Sequence, residues 1–368
     1  MADINYQGIR RWLGQLAILK KYRKIKSVRD LPKYKAVNAK GIGQQQISTV
    51  YLCPSNNSPI GGIKVIYKQA AIFNEADGGL KASVLHPFNP EFNCTWFDHD
   101  SAIKNNLEFD RTHEFVMIPE FWAVPHARLL HNIGVRYGIY VQGGYIMGLK
   151  GSNYGKEHDD AYHNADLILA ISDDTAECIK LAFPECSGKT YRVHFSVDAN
   201  KFKANQNKEN IISYMPRKME NHFQLVTYFL NKNIPHHWRI ESINGLDEDG
   251  VAAIFGKSRI FLSFSELEGC GLPPIEAALS GCYVIGYTGE GGKEYWESPI
   301  FTEIHSGDIK TFVKAILNKI TEIDSNPSIN YMAERNNLAN KYSAQVELED
   351  MQFVAKKIIE IMNRGEQS

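Results

Sequence analysis

From about residue 47 onwards, short apolar runs alternate with segments of helical periodicity, and this alternation constrains the fold more than any other feature. Residues 47–54, 81–87 and 114–122 have the pattern of buried strands, whereas 63–76 has the apolar spacing of a helix. Strands that alternate with helices pair in parallel, because each crossover helix returns the chain to the end of the sheet at which the previous strand began. The sequence therefore predicts the α/β class with doubly wound parallel sheets.

The alternation stops at a polar stretch rich in lysine and asparagine, residues 191–210, and then starts again. A polar stretch without a sustained period is typical of a linker. We therefore predict two α/β domains. The predicted segments are a basic helical segment over 1–46, an N-terminal domain over 47–200, a C-terminal domain over 201–340 and a C-terminal helix over 341–368, for which a return to the N-terminal domain is one arrangement.

The composition excludes several classes of protein. Apolar residues make up 43% and charged residues 23% of the 368 residues, close to the average of soluble globular proteins and unlike a disordered chain. Lys plus Arg (41) balances Asp plus Glu (42), which argues against a nucleic-acid partner. The cysteines form no C-x-x-C pair, and there is no signal-peptide pattern and no apolar run of about eighteen residues. We therefore expect a cytoplasmic protein with reduced thiols.

Basic charge concentrates in residues 1–40, where Lys and Arg far outnumber the acidic residues Asp3 and Asp30. Apolar residues such as Trp12 and Leu16 recur among them at near-helical spacing. This pattern suits a basic amphipathic helix that lies on an anionic membrane surface. The plainer interpretation is a solvated helix whose apolar stripe packs on the rest of the protein. The first interpretation predicts peripheral attachment of residues 1–28 to the inner membrane face.

Two candidate binding elements stand where predicted strands end, which is where open α/β sheets bind ligands. Gly61-Gly62 precedes the first helix of the N-terminal domain, so a phosphate or sugar could approach backbone N–H groups there; a plain turn is the alternative. Arg217 and Lys218 follow the first strand of the C-terminal domain. A guanidinium and an ammonium at that position can clamp a diphosphate, although a basic pair alone is more often a solvated turn.

A third element, the stretch Glu268-Gly269-Cys270-Gly271-Leu272-Pro273-Pro274-Ile275-Glu276-Ala277, is far more specific. Together with Ser280-Gly281-Cys282 and Gly291-Gly292-Lys293-Glu294, it resembles the donor-binding signature of retaining glycosyltransferases of the GT-B fold, the "glycosyl transferases group 1" or family 4-like type. Both glutamates match at the family's spacing, and Cys270 replaces the usual aromatic residue.

The resemblance extends more thinly over residues 47–300. Residues 194–198 with Phe202 are similar to the family's passage into the second domain. Ser213-Tyr214 stands where the family commonly has Gly-Arg, and the basic charge arrives at Arg217 and Lys218 instead. Residues 214–218, Tyr-Met-Pro-Arg-Lys, resemble a bacterial subset of these enzymes that is associated with surface polysaccharides.

The resemblance implies two Rossmann-like domains that face each other across a cleft, and a nucleotide-diphosphate-sugar as donor. It implies that Glu276 binds the ribose hydroxyls and that Glu268 binds the transferred sugar. Without a metal or another cofactor, cations and backbone N–H groups must stabilise the leaving diphosphate. The expected catalytic residues are Glu268, Arg217 and Lys218. The expected donor-binding residues are Gly61, Gly62, Gly269, Cys270, Gly271, Leu272 and Glu276.

The acceptor, a glycan or lipid-linked molecule, is expected to bind mainly to the N-terminal domain. Candidate acceptor-binding residues at predicted strand ends there are Glu120, Gly143, Gly144 and Tyr145. His126 and His131 are expected on a helix surface.

Other uses of the two glutamates fit the sequence less well. A glycosidase pair needs no Gly-Pro turn and no basic partner. Metal ligation finds no His or Asp at matching spacing, and Asp98-His99-Asp100 is better explained as a solvated turn. An epimerase of the same fold, or a catalytically silent binding subunit of a glycan-assembly complex, stays open as an alternative to a transferase.

Overall fold

The computed structural model describes residues 31–38, 46–75, 79–148, 155–205, 207–216 and 218–364. Most of the predicted basic segment 1–46 and the predicted catalytic residue Arg217 lie outside these ranges. The chain divides into a unit of residues 1–33 and a unit of residues 34–368. The second unit contains both α/β domains, and the following description concerns this unit.

The first domain is built on a seven-stranded parallel sheet. Its strands are β2 (Ser48–Leu52), β3 (Lys81–Leu85), β4 (Ile103–Lys104), β6 (Glu114–Pro119), β7 (Tyr137–Val141), β8 (Leu167–Ala170) and β9 (Thr190–Arg192). Their order in the sheet is β4-β3-β2-β6-β7-β8-β9. Every residue of β7 and β8 is buried, as is typical of central strands in a parallel sheet with both faces covered. A small separate sheet pairs β1 (Lys35–Val37) with β5 (Glu108–Asp110).

Helices connect these strands along the chain. They are α1 (Gly61–Glu75), α2 (Ala123–Asn132), α3 (Gly144–Met147), α4 (Lys156–His163) and α5 (Asp173–Ala182), with short 3-10 helices at Glu120–Trp122 and Pro184–Lys189. The N-cap of α5 is Ser172, whose hydroxyl accepts a hydrogen bond from the Thr175 N–H. Asp173 and Asp174, which follow the cap, are the first two residues of the helix.

The second domain is built on a five-stranded parallel sheet. Its strands are β10 (Ile211–Tyr214), β11 (Arg239–Ser242), β12 (Ile260–Glu268), β13 (Tyr283–Glu290) and β14 (Phe301–Glu303). Their order in the sheet is β11-β10-β12-β13-β14. The helices are α6 (Glu220–Leu230), α7 (Glu248–Lys257), α8 (Leu272–Leu279), α9 (Ile309–Ser325) and α10 (Met332–Lys341), with a 3-10 helix at Gly291–Tyr295. Glu268 is the last residue of β12.

The segment between the two sheets is less irregular than its composition suggests. Strand β9 (Thr190–Arg192), which pairs in parallel with β8, extends two residues into the predicted linker 191–210. Polar side chains hid this strand because it lies at the edge of the sheet, where its side chains are only partly buried. Beyond it, Val193, Phe195, Val197 and Phe202 are all buried.

The last described helix, α11 (Ala344–Arg364), packs against α1 of the first domain. Its Glu347 is fully buried and accepts hydrogen bonds from the Ser196 N–H at 3.1 Å and the Ser196 hydroxyl at 2.7 Å. Lys68 on α1 pairs with the same carboxylate at 3.3 Å. The chain therefore returns to the first domain after completing the second.

The architecture confirms the predicted α/β class with two Rossmann-like, doubly wound parallel sheets. One apolar cluster includes Tyr51 and Phe115 from the first sheet together with Phe255 and Ile275 from helices of the second domain. A second cluster, which includes Leu262 and Phe312, lies within the second domain. In the part of the chain that the structure describes, no helix combines the length and the apolar character needed to cross a membrane.

Candidate donor and acceptor site

Each sheet has a point at which the direction of strand addition reverses, and the candidate residues gather at these two points. In the first sheet the reversal lies between the adjacent strands β2 and β6, and in the second between β10 and β12. Gly61-Gly62 follows β2, Glu120 follows β6, Lys218 follows β10, and Glu268 ends β12. Ligands of open α/β sheets bind in the crevice outside such carboxyl ends, since the loops diverge there.

Lys218 and Glu268 form an ion pair at the adjacent ends of β10 and β12. Lys218 also lies 3.5 Å from the Ser265 hydroxyl, and the register of β12 shifts between Ser265 and Glu268. Both charged side chains keep part of their surface exposed, 47% for Lys218 and 24% for Glu268. An accessible carboxylate and an ammonium group therefore lie side by side. The carboxylate can accept hydrogen bonds from hydroxyl groups, and the ammonium can bind phosphate.

The glycine turn after β12 touches the first domain. The Gly269 carbonyl accepts a hydrogen bond from the Ser172 hydroxyl. A Cβ at Gly269 would lie only 1.8 Å from the Gln142 carbonyl oxygen, so this contact admits no side chain. Gly271 has a positive φ of 82° and is the N-cap of α8, which explains the second glycine of the motif.

Gly61 and Gly62, expected to precede the first helix, are instead the first two residues of α1, and they lie against the same region from the other side. A Cβ at Gly61 would lie 2.7 Å from Leu272 Cδ1, the first residue of α8. A Cβ at Gly62 would lie 2.5 Å from Gln142 Oε1, and the Gln142 amide donates to the Gly62 carbonyl at 3.1 Å. The structure therefore brings the predicted glycines of both domains together. We call this contact between the domains, formed by Gly61, Gly62, Gln142 and Gly269, the domain crossing.

Glu276 lies in α8 and is partly buried. Burial raises the pKa of Glu276 to about 7, and the positive charge of Lys64 on α1 works against this increase. Lys64 itself was not identified from the sequence, because its partners come from the other domain.

The Cys270 side chain is buried against residues remote from it in sequence. Its thiol lies 3.7 Å from the Tyr342 hydroxyl and 3.9 Å from Glu294 Oε1. Burial raises the pKa of the thiol, so it stays protonated. The backbone of Cys270 belongs to the turn, but its side chain packs behind the turn.

Glu294, which ends the motif, joins several segments. Its carboxylate accepts hydrogen bonds from Arg192 at 2.5 Å, the Tyr342 hydroxyl at 2.7 Å and the Asp173 N–H at 2.9 Å. Burial alone would raise the pKa of Glu294, but Arg192 and the hydrogen bonds outweigh it and lower the pKa below its usual value. The motif drew attention to this residue, whereas its partners in the first domain could not be read from spacing.

Glu120 is buried, with 4% of its surface exposed, beside the Gly143-Gly144 turn. Burial raises its pKa to about 7, although backbone N–H groups including those of Gln142 and Gly143 work against this increase. The structure thus brings Glu120 and the glycine turn together. Tyr145, the fourth predicted acceptor-binding residue, donates to Asp174 at 2.9 Å.

The two histidines of α2 differ from expectation in one case. His126 is fully buried, and its Nδ1 lies 2.5 Å from the Tyr34 hydroxyl. Burial lowers the pKa of His126 to about 3, so it is neutral. His131 lies on the helix surface, as expected.

Two other features of the described residues lie apart from these side chains. His163, Glu185 and Cys186 could together hold a metal ion. They precede β8 and β9, so they lie near the amino ends of these strands, away from the carboxyl ends that carry the candidate residues. A surface cavity of about 530 Å³ is lined by residues of the β3–β4 connection, among them His99 and Asp100. Neither feature includes a residue predicted for the donor or the acceptor.

Comparison with known proteins gives a short sequence match and extensive fold matches. No family model matches the chain. Over 80 residues, 21% of this chain, it is 34% identical to an alpha-1,6-glucosyltransferase of Actinobacillus pleuropneumoniae serotype 7 (strain AP76). The match spans about a quarter (24%) of that curated relative's length.

Among solved structures, sucrose-phosphate synthase from Thermosynechococcus elongatus is similar over 86% of this chain and 100% of its own, with a TM-score of 0.61 and 11% identity. HepE of Anabaena, in complex with UDP and glucose, has a TM-score of 0.59, 10% identity and the same coverage, 86% and 100%. TarM of S. aureus, in a complex that contains UDP, matches 66% of this chain and 55% of its own length, with a TM-score of 0.50 and 14% identity. The chain therefore has the GT-B fold, two Rossmann-like domains facing across a cleft.

Proposed function

We propose that the protein is a retaining glycosyltransferase that moves a sugar from a nucleotide-diphosphate-sugar to a glycan or lipid-linked acceptor in surface polysaccharide or glycoconjugate synthesis. The observation that carries this proposal is the position of Glu268, the glycine turn and Glu276 at the switch point of the second sheet, with Lys218 beside Glu268. The glucosyltransferase match and the UDP bound by HepE and TarM support it.

In the proposed reaction the bond between the anomeric carbon and the diphosphate oxygen breaks, and the acceptor hydroxyl oxygen bonds to the same carbon on the same face. The acceptor proton passes to the leaving diphosphate, so no protein base is required. Lys218 and Arg217 stabilise the charge that develops on the diphosphate, together with the backbone N–H groups of Gly269, Cys270 and Gly271. We propose that this cationic clamp works without a metal ion.

The two glutamates have different proposed roles. Glu276 accepts hydrogen bonds from the ribose hydroxyls, which stabilises the bound donor in both the ground and transition states. Glu268 binds hydroxyls of the transferred sugar and stabilises its developing positive charge. On the acceptor side, Glu120 shapes the Gly143-Gly144 turn, which lies beside the Gln142 contact with the donor turn.

Binding and transfer assays test these roles. Glu276→Ala should weaken binding of a nucleoside diphosphate about tenfold or more, because a charge-assisted hydrogen bond is lost. Glu268→Ala should instead lower turnover by about a hundredfold. The control is Glu266→Ala, which removes an exposed carboxylate on the same strand.

The measurements are thermal shift with UDP, ADP, GDP and CDP, and transfer from a panel of nucleotide-sugars in the presence of EDTA. If none of the four diphosphates shifts the melting temperature at saturation, the donor site is wrongly assigned. Transfer that EDTA abolishes would contradict the metal-free clamp.

We further propose a cytoplasmic, peripheral location, with residues 1–28 on an anionic membrane surface; this segment lies outside the described residues. The full chain should float with liposomes that contain anionic lipid, and a chain lacking residues 1–28 should not, because the basic charge is lost. Equal flotation of both chains would refute the attachment.

A further inference from the structure

Lys64 reaches from the first domain to the proposed donor site in the second. It lies in the first turn of α1, three residues after Gly61, and forms an ion pair with Glu248, the first residue of α7. Gly61 lies against the Leu272 side chain at the start of α8, so Lys64 and Glu276 each follow this contact by about one helical turn. At this position the Lys64 charge acts on Glu276. Both side chains of the Lys64–Glu248 pair are largely covered, with 33% and 23% of their surface exposed.

Besides Glu248, four charged groups act on Lys64. Glu276 and Asp198 favour its charged form, whereas Lys68 and Lys201 oppose it. Lys201 contacts Glu248 at 3.1 Å and Asp249 at 2.9 Å, so Glu248 receives cations from both sides. Burial lowers the pKa of Lys64, and Glu276 is the strongest of the charges that counteract this.

The protonation of the Glu276 carboxyl group therefore depends on Lys64, a residue of the other domain. Burial raises the pKa of Glu276 towards neutrality, and a protonated carboxyl offers one acceptor oxygen fewer to a diol. A cation nearby favours the carboxylate, which can accept a hydrogen bond from each of two hydroxyls. Removing that cation would weaken the carboxylate as an acceptor without touching the reacting atoms.

We propose that Lys64 is a positioning residue for the nucleotide donor. Lys64 reaches across the domain crossing and keeps the Glu276 carboxylate charged, so that it can accept hydrogen bonds from the ribose hydroxyls. Lys64 also forms the ion pair with Glu248. This role rests on the proposed glycosyltransferase function, because it requires a nucleotide at Glu276. Donor affinity then depends on the contact between the domains, since the cation and the carboxylate belong to different domains.

Titration of the full-length protein with UDP between pH 6 and 8.5 tests the proposal. Wild-type affinity should rise with pH as Glu276 ionises. Lys64→Met should weaken UDP binding about tenfold at pH 7, the equivalent of one charge-assisted interaction, and should move the rise to higher pH. Lys64→Arg, which keeps the charge, should restore the wild-type midpoint. In a Glu276→Gln background, Lys64→Met should have no further effect on affinity.

Lys68→Met is the matched control. Lys68 lies one turn further along α1, but it pairs with Glu347 of α11. Its replacement should change the melting temperature and leave UDP affinity and its pH midpoint unchanged. Lys64→Met with wild-type affinity and midpoint would overturn the role of Lys64 alone. Absence of binding of UDP, ADP, GDP and CDP to the wild type would overturn both this role and the proposed function.

Discussion

At Gly269 the backbones of the two domains approach more closely than any side chain would permit. The Gln142 carbonyl would lie 1.8 Å from an added Cβ, and Ile171 Cγ2 would lie 3.0 Å from it. Since the carbonyl is main chain, it cannot move aside by a rotamer change. The glycine is thus required by the contact of the domains.

Gly269→Ala should separate the domains at this crossing. We expect destabilisation of about 1–3 kcal/mol, as for other overpacked sites, and a loss of transfer activity. Urea unfolding measures the first and a transfer assay the second. Gly188→Ala is the matched control, because an added Cβ there meets nothing within 4 Å. Wild-type stability and activity of Gly269→Ala would show that the crossing is not needed.

Single residues also show where sequence reasoning stops. The motif located Glu268 and Glu276, because their spacing around a Gly-Pro turn is local. It gave no reason to expect the Cys270 thiol beside Tyr342, which is far away in sequence. His126 was expected on a helix surface, but Tyr34, from outside the alternating pattern, contacts it and His126 is buried.

At the scale of elements, periodicity predicted the long strands and helices and missed the short ones. β7 and β8 are continuous apolar runs, so their burial on both faces was visible in the sequence. β4, of two residues, and the β1–β5 pair, of three residues each, are too short to show alternation. Their pairing is decided by long-range contacts, which a local pattern does not contain.

The two ends of helix α8 are stabilised differently, one by residues next to it in the sequence and the other by a distant residue. Gly271, Pro273 and Pro274 define its N-terminus locally. At its C-terminus, Arg335 of α10 donates to the carbonyls of Ala278, of Gly281 at 3.3 Å and of Cys282 at 3.0 Å. A cation near the C-terminus of a helix is stabilising, because the helix dipole is negative there. The sequence predicted the first half of this arrangement and contained no sign of the second.

For the whole molecule, Glu294 connects the second domain to the first and to the segment that follows α10. Its folded pKa is lowered, so its charge stabilises the fold above the unfolded pKa of about 4.3 and this stabilisation is lost as pH falls through the folded value. The carboxylate is well covered, with 7% of its surface exposed, which limits screening by solvent.

Glu294→Gln should therefore lower the free energy of unfolding at pH 7 by about 1.5–3 kcal/mol, the contribution of hydrogen bonds to a charged group. The difference from wild type should shrink as pH falls below the unfolded pKa of about 4.3, because the wild type loses its carboxylate as pH passes through the lowered folded pKa. Urea unfolding at several pH values measures both effects. The exposed Glu297→Gln is the control, expected to be neutral. A difference that stays constant across these pH values would contradict the assigned charge.

The return of α11 to the first domain has a consequence for the order in which the protein is made. Residues such as Met351, Val354 and Ile358 of α11 belong to the same apolar cluster as Tyr67 and Phe73 of α1. A ribosome releases all seven strands of the first sheet long before it reaches residue 344. The face of α1 that α11 covers is therefore exposed throughout synthesis of the second domain, and the domain made first is the last to be completed.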